Sequence, residues 1–358
     1  MNFSLEPPTI LGAGSDRMDG LATSTRRAGQ YVDTYPGSLQ PSDGRLFSIA
    51  LRNHEGVVRT MAANIGRSDT LLAAVGLNLH LAQGRYDATE QDNVVTVNDI
   101  FTQLGAAAPP DLGARGSSTA FGTSSPADAI PVPEAMEGIP EWVEMVVELG
   151  GNLVSFSYWA MKILEWTIGV NPLEQVVDFF IGDWKKVSEC GSALTKVGEY
   201  WDVMSATIGD DCGYLFRGWQ GDAAGSAEAY FARLISAFAE QRPALDQLGA
   251  QYVATAWGIY LAAKGVAALI SVLIDLVCGA AVLAAAIVVA TASVVGAPEA
   301  LAMTAALEVL LDSILGVWET VLTVQGLTVG GSYILVGLMA GFLSTVHPVE
   351  QMGMPGAI

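Results

Sequence analysis

Residues that could carry out chemistry are few in this 358-residue sequence, and their spacing assembles no known catalytic or metal-binding set. The three cysteines, Cys190, Cys212 and Cys278, are odd in number and form no Cys-x-x-Cys pair. We therefore expect buried free thiols rather than a disulfide framework or a zinc site. The histidines are equally scattered, at His54, His80 and His347. The sequence predicts no metal site.

Motifs of common enzyme classes are also missing. There is no Gly-x-Ser-x-Gly elbow, no His-Glu-x-x-His and no Gly-x-x-x-x-Gly-Lys phosphate loop. Gly12 and Gly14 lack the third glycine of a dinucleotide loop, because Arg17 stands there. The acids are numerous but scattered, as on solvated helix faces. We expect a protein that is not an enzyme and uses no cofactor.

A Trp-x-Gly segment, Trp219-Gln220-Gly221, lies between two stretches with helical periodicity. Gly221 tolerates backbone angles that other residues resist, which suits a tight turn between helices. Asp222 could cap the second helix, and the alanines after it leave room for another helix to approach. Trp219 offers an apolar body and an indole N–H, a combination favoured at partly wet contacts, so we expect it at an accessible tip of the bundle.

A second short pattern pairs Tyr86 with Glu90. The two residues are four positions apart, so on a helix they lie on one face, one turn from each other. The pair falls at the end of the predicted second helix of an N-terminal hairpin.

These two patterns resemble signals of type VII secretion proteins. The segment around Trp219 is similar to the WxG family, whose members are helical hairpins with Trp-x-Gly at the turn. Tyr86 and Glu90 look like the Tyr-x-x-x-Asp/Glu export motif, and the first hairpin is similar in layout to EspC-type proteins and PE domains. In PE/PPE pairs and in EspB, the tyrosine-bearing element lies beside the Trp-x-Gly turn. The resemblance implies a composite secretion signal made of Tyr86, Glu90, Trp219 and Gly221.

The elements around these motifs are predicted to form an all-α, elongated helical bundle of two helical hairpins, followed by hydrophobic C-terminal helices. Residues 1–104 form the first hairpin, with one helix from Ser15 or Asp16 to Val32, a break at 35–44, and a long helix from Arg45. Residues 105–140 are rich in Gly, Pro, Ser and Ala, and we expect a linker there.

Residues 141–265 are predicted to hold an amphipathic helix, ended by Asn171 and Pro172, and then the Trp-x-Gly hairpin, with helices over 175–217 and 222–264. Residues 266–358 are strongly hydrophobic. Within them, 276–298 and 321–349 contain no Asp, Glu, Lys or Arg, and each run is long enough to cross a bilayer. Buried helices of an oligomer would have the same composition, so both interpretations stay open.

The net charge of the chain limits the classes of partner that it is expected to bind. The formal net charge is −20, which disfavours binding to nucleic acid and to anionic lipid headgroups. Hydrophobic residues make up 51% and charged residues only 15%, so some apolar surface must be buried in an oligomer or must face lipid. The first twenty residues lack the basic region and apolar core of a Sec or twin-arginine signal peptide.

We expect a secreted, non-enzymatic substrate of an actinobacterial type VII secretion system, located outside the cell or in its envelope. It would be a helical interaction protein that self-assembles as a homo-oligomer. Its expected partners are the secretion machinery, a secretion chaperone and a membrane. Two alternatives stay open: a membrane-inserting or pore-forming effector delivered by the same system, and an integral membrane protein in which Trp-x-Gly is accidental.

Overall fold

Helices make up nearly all of the chain that the computed structural model describes, namely residues 4–5, 9–40, 44–88, 120–139, 158–291 and 297–355. The helices pack side by side around one apolar core. The predicted all-α helical bundle is confirmed.

The elements follow one another in this order. The N-terminal helices are α1 (Ile10–Thr34), α2 (Arg45–Ala50) and α3 (His54–Ala88). The middle helices are α4 (Tyr158–Ile168), α5 (Pro172–Phe180) and α6 (Trp184–Gly218). The C-terminal helices are α7 (Asp222–Ala239), α8 (Gln241–Thr291) and α9 (Ala297–Thr345). Two short strands, β1 (Ser4–Leu5) and β2 (Trp219–Gln220), pair in antiparallel register.

The first hairpin consists of α1 and α3, which pack antiparallel along their length. Helix α1 begins five residues before the predicted Ser15, because Ile10 and Leu11 are buried and extend its apolar stripe. The predicted long helix from Arg45 is divided into α2 and α3 by a turn at 51–53. This turn places both Leu51 and His54 in the interior.

The second hairpin consists of α6 and the α7–α8 segment, which returns antiparallel to it. The predicted helix over 175–217 is two helices, α5 and α6, separated by a turn at Gly182. The predicted helix over 222–264 is interrupted at Glu240, and α8 continues to Thr291. Past residue 264 the apolar stripe of α8 remains buried at helical spacing, which explains the longer helix (Val266, Ile270, Leu273, Val277).

Asn171 and Pro172 end the preceding helical segment as predicted. Helix α4 stops at Ile168, and the Asn171 side chain accepts hydrogen bonds from the backbone N–H groups of Leu173 and Glu174 at 3.2 and 3.3 Å. Asn171 is therefore the N-cap of α5. The upstream part of that predicted helix, residues 141–157, lies outside the described residues.

The second half of the predicted linker, residues 120–139, crosses α1 and α6 and contains one short 3₁₀ helix, Pro126–Ala129; we call this segment the strap. The backbone N–H of Ala127 donates to Ser24 Oγ on α1 at 2.9 Å. The N–H of Met136 donates to Ser188 Oγ on α6, also at 2.9 Å. The strap therefore joins the two hairpins; residues 105–119 lie outside the described part of the chain.

Helices α8 and α9 form a long antiparallel pair at the C-terminal side. Two segments, Asp222–Thr291 and Glu299–Thr345, are long and apolar enough to cross a membrane. In their most apolar 18-residue stretches, only 22% and 11% of the residues are buried. We call residues 276–291 and 297–317 the apolar arm. Its large exposed side chains include Val282, Val288, Val289, Leu301 and Val309.

The C-terminal half of α9 returns to the body of the bundle. Asn53 Nδ2 donates to the backbone oxygen of Val336 at 3.5 Å, and Asn64 Nδ2 donates to that of Val346 at 3.2 Å. These contacts fix the base of the α8–α9 pair against α2 and α3.

Candidate functional site

The Trp-x-Gly segment forms the turn between α6 and α7. Helix α6 ends at Gly218, and the Trp219 backbone N–H donates to the carbonyl oxygen of Leu215. Gly221 has φ +121° and ψ −178°, a conformation that side-chain-bearing residues rarely adopt. The predicted interhelix turn, with glycine required at its last position, is therefore present.

The Trp219 side chain differs from the expectation of a partly wet contact. It is only 1% exposed, and its ring stacks on that of Phe216 at a centroid distance of 5.9 Å. Phe216 in turn meets the ring of Phe231 edge to face. On the backbone side, Leu5 of β1 pairs with Trp219 in antiparallel register. Trp219 is a core residue at this turn because α6, α7 and β1 converge on it.

Asp222 does not cap α7 as predicted. Gly221 occupies the N-cap position, and no side chain among the described residues accepts a hydrogen bond there. Asp222 is the first helical residue, where its negative charge still meets the positive end of the helix dipole. The predicted thin start of α7 is present, since Ala223, Ala224 and Ala227 are all buried.

The C-terminal part of α3 lies at the same end of the bundle as this turn. Gln83 Oε1 on α3 accepts a hydrogen bond from the Gly12 backbone N–H at 3.3 Å. A Cβ built on Gly14 would lie 3.5 Å from Leu79 Cδ1 on α3 and 3.5 Å from Leu215 Cδ1 on α6. The first turns of α1 are thus packed between the end of α3 and the end of α6.

The backbone of Tyr86 belongs to α3 and lies one turn beyond Gln83, about 4.5 Å further along the helix axis. Its side chain lies outside the described residues, and so does Glu90. A contact between Tyr86 and Trp219 stays a prediction.

A buried polar network that the sequence did not predict lies beside this end. Arg17 Nε donates to Asp211 Oδ2 at 2.6 Å, and the Gly122 backbone N–H donates to Asp211 Oδ1 at 2.9 Å. Arg17 Nη1 also donates to the carbonyl oxygen of Ser124 at 3.0 Å. The network connects α1, α6 and the strap. Arg17 and Asp211 are 194 positions apart, so no local pattern could have paired them.

Two titratable groups near the turn, the Cys212 thiol and the Tyr230 hydroxyl, have raised pKa values and stay neutral. Burial, together with the Asp211 and Glu228 carboxylates, raises the pKa of the Cys212 thiol well above its ordinary value. Burial likewise raises the pKa of the Tyr230 hydroxyl to about 12. A protonated, buried thiol is a poor nucleophile. Within the described ranges, no group of three His, Cys, Asp or Glu side chains could hold a metal ion.

The chain matches no protein family, no curated protein and no solved structure. The resemblance to type VII secretion proteins therefore rests on two short motifs and on the hairpins that carry them.

Proposed function

We propose that the protein is a substrate of a type VII secretion system. One observation carries the proposal: the Trp219 turn and the C-terminal part of α3, which bears Tyr86, lie at the same end of the bundle. A composite signal needs its two halves close together, and because Trp219 is only 1% exposed, its half would be the turn that the buried ring maintains. The packing of α1 between α3 and α6 supplies that arrangement within a single chain.

The proposed role after export is that of a helical interaction protein rather than an enzyme. Cys190 and Cys212 are buried, and burial raises the pKa of both thiols, so neither is poised for nucleophilic attack. The exposed valines and leucines of the apolar arm would favour self-assembly, because association removes apolar surface from water.

Export is tested by comparing culture filtrate and cell lysate from cells with and without the type VII ATPase. We expect the wild-type chain in the filtrate only when the ATPase is present. Tyr86→Ala and Glu90→Gln should leave the chain soluble inside the cell. Matched controls on α3 are Leu77→Ala, which truncates an exposed side chain, and Glu55→Gln, which neutralises an exposed glutamate. Export without the ATPase, or equal export of all four variants, would contradict the proposal.

A conservative substitution is needed to test Trp219 in the same assay. Removing a buried tryptophan side chain would cost about 3–5 kcal/mol of folding free energy, so Trp219→Ala would confuse export with stability. Trp219→Phe keeps an aromatic ring against Phe216 and removes the indole. We expect this variant to be folded and poorly exported.

A second candidate function, insertion into a membrane after export, follows from the apolar arm. Many of its apolar side chains are exposed, with Leu301 at 78% and Val282, Val288 and Val289 in the same range. A bilayer would remove this surface from water. Glu308 and Asp312 lie within the arm, and each acid at the bilayer centre would cost about 2.5–3.5 kcal/mol unless it faced another helix or water. Insertion as an oligomer would place these acids away from lipid.

Membrane insertion is tested with an environment-sensitive fluorophore on one thiol of the arm. Leu301→Cys in a Cys278→Ser background provides this thiol, because Cys190 and Cys212 are buried. We expect a blue shift of the emission with vesicles and resistance of the bound protein to carbonate extraction. The control thiol, Val132→Cys, replaces a strap residue that is 69% exposed and should show no shift. Identical behaviour of the two labels would exclude insertion of the arm.

A further inference from the structure

A cavity of about 840 Å³ opens at the base of the α8–α9 pair, between α2, α5 and α9. This volume lies within the usual range for small-molecule sites. Arg45, Glu174 and Asp178 supply charged groups to its wall, and α9 supplies Leu322, Val329 and Tyr333. The cavity therefore combines an apolar side with a charged side.

The charged side carries both signs without internal pairing. Glu174 and Asp178 are one turn apart on α5, so they share a face. Neither acid, nor Arg45 at the start of α2, takes part in an ion pair with any residue that the structure describes. A ligand that carries an anionic group and a cationic group would complement this wall.

Gln325 adds a second, independent sign of a ligand. It lines the same cavity, its side chain is only 6% exposed, and its amide nitrogen has no hydrogen-bond partner in the described part of the chain. A buried amide nitrogen without a partner destabilises the fold, and a ligand oxygen would satisfy it.

The position of the cavity fits a lipid rather than a free solute. Leu322 is half-exposed on α9, close to where the apolar arm leaves the body. Val170 lines the cavity just after the end of α4, and Trp166, four residues earlier in the last turn of α4, is 94% exposed. Tryptophan side chains are enriched at the level of lipid headgroups. A bilayer around the apolar arm would bring its headgroup layer to this cavity.

We propose that the cavity binds the headgroup of phosphatidylethanolamine. The phosphate lies against Arg45 and Gln325, the ammonium lies between Glu174 and Asp178, and the acyl chains follow α9 past Leu322. Ethanolamine donates three N–H groups to the carboxylates, which a trimethylated choline cannot do. An anionic lipid would be disfavoured by the net charge of −20. The inference rests on the proposed insertion of the apolar arm.

The test is flotation of the full chain with vesicles of phosphatidylcholine alone, of phosphatidylcholine with one quarter phosphatidylethanolamine, and of phosphatidylcholine with one quarter phosphatidylglycerol. We expect about tenfold tighter binding to the ethanolamine vesicles than to the other two, the factor that one charge-assisted hydrogen bond provides. The double variant Glu174→Gln/Asp178→Asn should lose this preference and keep its binding to phosphatidylcholine. The control, Asp33→Asn/Asp210→Asn, removes two exposed acids elsewhere and should keep the preference.

The outcomes separate the headgroup site from membrane insertion itself. Phosphatidylethanolamine also alters bilayer packing, but a packing effect would persist in the Glu174→Gln/Asp178→Asn variant, and that result would overturn the headgroup site. Equal binding of the wild-type chain to all three vesicles would overturn it as well and leave insertion standing. Absence of binding to every vesicle would overturn both. Thermal melting of each variant without vesicles verifies that the fold is retained.

Discussion

Arg17 on α1 and Asp211 on α6 form an ion pair with an Nε to Oδ2 distance of 2.6 Å, and the Asp211 side chain is only 2% exposed. The second carboxylate oxygen of Asp211 accepts from Gly122 in the strap. One buried carboxylate thus joins three segments that are far apart in the sequence.

Asp211→Asn should destabilise the bundle strongly. The amide leaves the Arg17 guanidinium buried without its counter-charge, a change that costs about 3 kcal/mol or more in other proteins. Asp69→Asn is the matched control, because Asp69 pairs with Arg26 at 3.1 Å on a more exposed surface. It should cost less than about 1 kcal/mol. Urea unfolding measures both values, and equal losses would show that the Arg17–Asp211 pair does not hold the hairpins together.

Gly221→Ala should destabilise the Trp219 turn. The backbone there has φ +121°, and forcing a residue with a Cβ into such a region costs about 1–3 kcal/mol. Gly225→Ala, one turn later in α7, has open space around the new methyl group and should instead stabilise by about 0.5–1 kcal/mol. The melting temperature should therefore fall for Gly221→Ala and rise for Gly225→Ala. Shifts of the same sign would mean that the turn is not strained.

Gly191→Ala should push α6 and α8 apart. A Cβ on Gly191 would lie 2.6 Å from the carbonyl oxygen of Gly249, which is too short for any contact with backbone. We expect a loss of about 1–3 kcal/mol, as for other overpacked cores. Gly258→Ala, on an open part of α8, is the control and should not destabilise. If Gly191→Ala melted like the control, the close crossing of the two helices would be disproved.

Stability should fall on mild acidification because of His54. Its ring nitrogens lie 2.7 Å from the Tyr252 hydroxyl and 3.0 Å from the Pro36 carbonyl oxygen, and burial lowers its pKa in the folded chain. Unfolded histidine has a pKa of about 6.5, so below that pH the unfolded chain binds the extra proton first and gains stability relative to the folded one.

The measurement is the urea midpoint at about pH 7.5 and at about pH 5.5, on either side of the ordinary histidine pKa. In the His54→Gln variant the urea midpoint should fall less between the higher and the lower pH than in the wild-type chain. In His80→Gln, at an exposed position on α3, it should fall as much as in the wild-type chain. Carboxylates contribute equally in both variants and cancel in the comparison. An unchanged decrease in His54→Gln would assign the pH effect to other groups.

Local patterns predicted the helical class and the Trp219 turn because both depend on neighbours in the sequence. Apolar spacing marks helices, and a glycine marks a turn that needs a left-handed residue, as at Gly221. Asn171 and Pro172 likewise ended a helix where the sequence placed the break.

Tertiary packing decided what the sequence left open. The strap was predicted only as a linker, since its fixed points, Ser24 and Ser188, are distant side chains that no periodicity reveals. Trp219 was expected at a partly wet tip, but β1, which lies more than 200 positions earlier in the sequence, pairs with its backbone. The charged wall of the cavity was not predicted for the same reason. It is formed by Arg45, Glu174 and Asp178, and α2 and α5 come together only in the folded bundle.

The charges of the apolar arm make its insertion sensitive to the membrane potential. No Lys or Arg follows Lys264, so each charge carried by the arm is negative. Moving one such charge toward a compartment at −100 mV costs about 2.3 kcal/mol. An energised membrane with a negative interior would therefore resist entry of the Glu299 end of the arm from outside, and a depolarised membrane would admit it. Vesicles carrying a potassium diffusion potential of either sign would reveal this as a voltage-dependent yield of inserted protein; equal yields would show that Glu299 does not cross.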